Sequence, residues 1–115
     1  IVFVSRNPLS VARSLKKRND LPIKKGLELW NTYTEKAFLF CQNFNSNIFY
    51  CSFEQLLEKP GITCEKLFNF LDQEWDEKVI HKFIDKKIST SDKGIKIKIP
   101  KKILLLHNRI NNLLC

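Results

Sequence analysis

The chain lacks several things, and each absence narrows its class. It contains no methionine, so Ile1 is not a translation start. It also opens directly inside an apolar run, and together these read as a piece of a longer protein. No stretch approaches the roughly 20 apolar residues a membrane helix needs, and no signal peptide is legible. There is no Cys-x-x-Cys pair, and the two histidines, His81 and His107, give no zinc spacing. Aromatic residues are not interleaved with the lysines, which disfavours the stacking platforms of a nucleic-acid binder. Arginine is scarce in a lysine-rich chain: Arg6, Arg13 and Arg18 fall in one opening stretch, and Arg109 stands alone near the end.

What is present suits one soluble domain, or part of one: 115 residues, 43% hydrophobic and 28% charged. The net charge is +8. The lysines are scattered as pairs at 16–17, 24–25, 86–87 and 101–102. That pattern reads as a solvated surface whose field would favour a polyanionic ligand, with no nucleic-acid partner and no membrane segment. Four cysteines, Cys41, Cys51, Cys64 and Cys115, would allow disulfides in a secreted protein. The apolar surroundings of the first three favour buried free thiols, a reducing compartment and a cytoplasmic location.

Residues 1–18 organise the rest. Ile1 to Val4 reads as a short buried strand, being β-branched and aromatic without polar alternation. Asn7-Pro8 stops it. Proline pushes the preceding residue out of the α region, so Asn7 suits an N-cap and Pro8 the first helical position, with a helix to about Arg18. Arg6 then stands at the carboxyl end of a strand, where open α/β sheets bind ligands, and beside a helix N-terminus that favours an anion. Its planar fork matches phosphate oxygens. Ser14, seven residues after Asn7, returns to nearly the same helix face. The plainer reading is a surface salt bridge for Arg6 and an incidental polar residue at Ser14.

Further along, Asn19 to Pro22 is a polar loop, and Pro22 opens a helix to about Phe44. Leu27, Trp30, Thr34, Ala37, Phe38 and Cys41 mark its apolar stripe. Gly26 either weakens the helix or allows close packing near its start. Trp30 and Tyr33 either pack in the core or line an acceptor pocket. Ile48 to Phe53, apolar on both faces, is expected as a central strand parallel to the first, with the intervening helix as the crossover. Glu54, at its end, is a candidate base or a structural carboxylate. Lys59-Pro-Gly61 reads as a turn, and Thr63 as the cap of a helix Cys64–Leu71 buried along Leu67, Phe70 and Leu71. Asp76 would cap another helix, carrying Val79, Ile80, Phe83 and Ile84, with His81 on its solvent face. Ser89 to Gly94 is a loop. Ile95 to Ile99 alternates like an edge strand with exposed lysines, ended by Pro100. Lys101 to Leu114 is a last helix carrying Ile103, Leu104, Leu106, Ile110 and Leu113.

Arg6-Asn7-Pro8, with Ser14 eight residues after the arginine, resembles the 3′-phosphate-binding motif of sulfotransferases that use 3′-phosphoadenosine 5′-phosphosulfate (PAPS). Ser52-Phe-Glu-Gln-Leu-Leu-Glu-Lys-Pro60 is similar to that family's Tyr-Glu-Asp-Leu segment, and Cys64 to Leu71 to the helix after it. The segment from Arg6 to Trp30 is closest to the bacterial sulfotransferase-like branch. The likeness covers roughly residues 1–90; residues 91–115 read as a divergent extension, where Lys93-Gly94 is too short to stand for the family's late phosphate loop. The resemblance implies that Arg6 and Ser14 bind the 3′-phosphate and that Phe53, in place of the tyrosine, lies by the adenosine without a hydroxyl to donate. Ser10 replaces the usual acidic residue and alters how the turn is braced. The resemblance also treats the acidic position at Glu54 as structural.

The expected fold is therefore α/β: part of a P-loop-like parallel sheet flanked by helices in three layers, without its N-terminal phosphate-loop half. The expected function is transfer of a sulfuryl group from PAPS, the nucleotide cosubstrate, to a hydroxyl or amine acceptor by the parent protein. The catalytic base and phosphate-loop lysine would lie outside this chain, no metal is implied, and the isolated chain would not turn over. Two alternatives stay open: another P-loop nucleotide-binding enzyme such as a kinase, and a non-enzymatic protein, either a degenerate fragment or a basic binding module.

Overall fold

An apolar tetrapeptide and an Asn-Pro step set the first two elements. In the computed structural model, which describes residues 1–74, 78 and 97–115, strand β1 is Val2–Ser5 and helix α1 is Pro8–Asn19. Asn7 caps the helix: its Oδ1 accepts from the amides of Leu9 at 2.9 Å and Ser10 at 3.3 Å. Pro8 takes the first position, where its missing N–H costs nothing. At the far end Asp20 turns left-handed, φ 56°, and its amide donates to the Lys16 carbonyl at 3.0 Å. Lys16, Lys17 and Arg18 in the last turn complement the helix dipole.

Helix α2, Ile23–Gln42, starts after Pro22 and packs along α1. Gly26 is the point of closest approach. A Cβ there would lie 2.8 Å from Ala12 Cα and 2.9 Å from Ala12 Cβ. Of the two roles open to Gly26, close packing is the one it fills.

Strand β2, Phe49–Ser52, pairs in parallel with β1 in the register Val2↔Phe49 to Ser5↔Ser52. The two helices between them form the crossover that parallel pairing requires. Helix α3, Phe53–Glu58, helix α4, Pro60–Phe70, and helix α5, Lys101–Asn111, complete the described elements. The fold is mixed α/β and mostly helical, with a small two-stranded parallel sheet among the described residues.

The core lies on one face of that sheet. Phe3 and Tyr50, in register, meet at 5.6 Å between ring centroids. Phe38 of α2 closes the cluster, 6.2 Å from Phe3 and 6.3 Å from Tyr50. Ala12, Leu27, Trp30, Cys41, Ile103, Leu106 and Ile110 extend it through α1, α2 and α5. On the opposite face Phe49 packs on Phe70 of α4 at 5.5 Å.

Several expectations need correction. Ile1 to Val4 is not buried throughout: Cys51 is 1% exposed, whereas Val4, its partner in register, is 54% exposed. The contacts of α4 run mainly to α3 and β2, and on the β1 half of that face Val2 is half-buried and Val4 exposed. The α2 stripe breaks at Ala37, which is exposed. Lys59-Pro-Gly61 is not a turn but the start of α4, with Pro60 at its first position. Thr63 is therefore inside that helix, not its cap, and its Oγ1 donates to the Gln55 carbonyl at 3.1 Å. Leu71 is exposed. Ile97–Ile99 forms no strand, though burial still alternates, with Ile97 and Ile99 half-buried and Lys98 exposed. Along α5, Ile103, Leu106 and Ile110 are buried and Leu104 is exposed; the helix ends at Asn111 rather than Leu114, and Leu113 beyond it is exposed. The expected helix from Asp76, the placement of His81, the loop 89–94 with Lys93-Gly94, and Ile95 lie outside the described residues.

The end of the chain returns to the sheet: the Cys115 amide donates to the Tyr50 carbonyl at 3.0 Å, and Gln55 Nε2 donates to the Cys115 carbonyl at 3.3 Å. Cys41, Cys51 and Cys64 are buried free thiols, each pushed up from the usual thiol range mainly by burial. Cys115 is exposed. Among the described residues, no helix is long and apolar enough to cross a membrane.

Candidate functional site

The two strands end side by side, so their next residues emerge together. Ser5 and Ser52 are in register. Arg6 and Asn7 follow the first, Phe53 and Glu54 the second. The second turn is held by a capping box: Ser52 Oγ accepts from the Gln55 amide at 3.1 Å, and Gln55 Oε1 accepts from the Ser52 amide at 3.0 Å. This fixes Phe53 at the first position of α3.

The Arg6 guanidinium lies over the Phe53 ring, 4.7 Å from its centroid. The structure thus brings together two of the three residues expected at a cofactor site. Arg6 makes no ion pair among the described residues, so the salt-bridge reading does not describe it. Its carbonyl is also held, accepting from Trp30 Nε1 at 2.9 Å. Trp30 is buried in the core, and its single polar atom is spent fixing the Arg6 turn. Tyr33 is exposed and shares with Trp30, Ser5 and Arg6 the lining of a shallow cavity of about 270 Å³.

The turn has a third tether. The Asn7 amide donates to Glu54 Oε1 at 2.6 Å. A carboxylate of β2's end therefore ties down the loop after β1, a charge-assisted bond of the stronger kind. Glu54 is structural in this arrangement. Because Asn7 Oδ1 already satisfies the amides of Leu9 and Ser10, the N-terminus of α1 presents fewer free donors than the sequence suggests. The cationic donor for an anion here is the Arg6 side chain.

Ser14, the third expected residue, is buried on α1. It is not a solvated surface serine. Seven residues separate it from Asn7, so it stands two turns below the cap on the same side of the helix.

His107 is a member of this neighbourhood that the sequence did not single out. Its ring meets Trp30 edge-on at 6.0 Å between centroids. Burial pushes its pKa below the ordinary histidine value, and the Glu54 carboxylate acts in the opposite direction. Its Nδ1 is fully buried without a hydrogen-bond partner among the described residues, and so is Ser5 Oγ. No local pattern around His107 marks this role; only the docking of α5 onto α2 creates it.

No group of three or more His, Cys, Asp or Glu able to hold a metal ion occurs among the described residues. Comparison with protein-family models, curated proteins and solved structures gives no match.

Proposed function

We propose that the protein is a sulfotransferase in which this chain supplies the strand, turn and helix that hold the 3′-phosphate of PAPS. In this reading the two strands belong to a larger P-loop-like parallel sheet in a three-layer α/β/α domain, of which residues 1–115 are the C-terminal part. The donor passes its sulfuryl group to a hydroxyl or amine acceptor.

One observation carries the reading. Arg6 stands at the carboxyl ends of two parallel strands with its guanidinium laid on an aromatic ring and no carboxylate paired to it among the described residues. Such a pre-oriented fork suits a phosphate dianion bidentately. Its backbone is fixed on both sides, by Trp30 at the Arg6 carbonyl and by Glu54 at the Asn7 amide, so little ordering remains to be done on binding. Phe53 offers an aromatic surface for the adenosine. Ser14 stands on the helix that follows the turn. The Ser10 and Phe53 departures do not weaken the fit, because Glu54 braces the turn and the aromatic face is kept.

The arrangement would hold other phosphates too, which makes a nucleotide kinase the second reading. The test is calorimetric binding of adenosine 3′,5′-bisphosphate, AMP and Mg-ATP to the intact protein. Tighter binding of the 3′-phosphorylated ligand supports the sulfotransferase reading. Preference for Mg-ATP supports a kinase, which holds its phosphates through magnesium. Binding of none of them points to the non-enzymatic alternative.

A further inference from the structure

The segment after α5 returns to β2 at the residue just before Cys51. The Cys115 amide donates to the Tyr50 carbonyl at 3.0 Å, and Gln55 Nε2 donates to the Cys115 carbonyl at 3.3 Å. Gln55 is itself fixed, because its Oε1 closes the capping box at the Ser52 amide. Cys115 is thus held at both its amide and its carbonyl. Laid end to end, the bonds across its contact with Tyr50 span about 7 Å from the Cα of Cys51 to that of Cys115. Any bend along that path shortens the separation, into the roughly 4.4–6.8 Å that a disulfide bridges.

The thiols here differ in access. Cys51 is 1% exposed and Cys64 is 5% exposed, whereas Cys115 is the exposed thiol of the four cysteines. Burial raises the pKa of Cys51, and the Cys115 and Cys64 thiolates raise it further, so three thiols share this corner of the fold. A small disulfide in solution can meet Cys115 first, since attack needs an accessible thiolate. We propose that Cys115 and Cys51 form a disulfide by exchange with a small-molecule disulfide such as oxidised glutathione, making this edge of β2 a thiol-oxidation site. The Cys115 thiolate attacks one sulfur of oxidised glutathione, which forms a mixed disulfide and releases one glutathione thiolate. Cys51 gives up its proton and attacks the Cys115 sulfur. The new S–S bond forms as the second glutathione thiolate leaves. Two protein thiols are oxidised, and one small disulfide is reduced to two thiols. In a reducing compartment such a bridge is transient and follows the local redox poise. The site requires nothing of the nucleotide reading above.

The test treats the intact protein with oxidised glutathione, quenches with acid, alkylates the remaining thiols under denaturing conditions and maps the peptides by mass spectrometry. Wild type should fall from four alkylatable thiols to two within residues 1–115, with the Cys51 and Cys115 peptides linked and no glutathione retained on either. Cys115→Ser, a change at an exposed position, should keep its three remaining thiols under the same treatment. Cys51→Ser should stop at the mixed disulfide, with glutathione retained on Cys115. Loss of a single thiol in wild type, whether as glutathione retained on Cys115 or as a Cys115–Cys115 link between two copies, overturns the proposal. So does a bridge to Cys41 or Cys64, or oxidation of Cys51 that persists in Cys115→Ser. Four thiols left intact in wild type overturn it as well.

Discussion

Replacing Gly26 by alanine probes the contact that sets the site's geometry. In an isolated helix the change is favourable by up to about 1 kcal/mol. Here the new Cβ would sit 2.8 Å from Ala12 Cα and 2.9 Å from Ala12 Cβ. The nearer atom is backbone and has no rotamer by which to move aside. The helices must separate by roughly half an ångström to restore ordinary contact, and overpacking of this kind costs about 1–3 kcal/mol. Set against a propensity gain of about 1 kcal/mol, that cost leaves a net loss of about 0–2 kcal/mol. Gly26 lies one turn before Trp30, whose indole fixes the Arg6 carbonyl, so the same separation should loosen the turn that presents Arg6. Urea unfolding followed by far-UV circular dichroism measures the loss, as a lower midpoint at unchanged slope. Nucleotide affinity should fall with it. A raised midpoint would refute the close approach of α1 and α2, and with it the account of how Trp30 is held.

Two further outcomes follow from the site. Glu54→Ala strips the Asn7 amide of its acceptor and should cost about 1–3 kcal/mol in urea unfolding, while Glu54→Gln, which retains an acceptor oxygen, should cost less. Because burial lowers the folded-state pKa of His107, the unfolded chain binds the proton more tightly; the contribution is present above the unfolded value near 6.5 and is lost as pH falls through the lower folded value. Wild type should therefore lose more stability than His107→Phe between pH 7.5 and pH 5, measured by urea midpoints, and parallel losses would contradict the buried neutral imidazole.

The parts legible in the sequence were those specified locally. Asn7-Pro8 carries its own capping chemistry, and the helix begins where that chemistry puts it. Gly26 offered close packing as one of two readings, which the contact with Ala12 decides, and the crossover between apolar strands announced parallel pairing. Local rules failed where two signals competed. Pro60 is a good first helical residue, but Gly61 beside it reads equally as a turn, and the contact of Thr63 with Gln55 helps decide for the helix. The Ser52-Phe-Glu-Gln55 capping box was present as a pattern but lay under the segment read for its family likeness. Val4 could not be read at all from its own run, since its exposure depends on how far α4 extends across the sheet. The same holds for His107, because its burial and its contact with Trp30 come from a helix distant in sequence.

The central claim is that Arg6 binds a 3′-phosphate. It is tested most directly by the affinity ratio of adenosine 3′,5′-bisphosphate to AMP in wild type and Arg6→Ala. A lost charge-assisted contact corresponds to about 1.5–3 kcal/mol. The account predicts a wild-type preference for the bisphosphate that Arg6→Ala reduces by that amount, with AMP binding little changed. Equal affinity for the two ligands in wild type, or a preference that Arg6→Ala leaves intact, would contradict it.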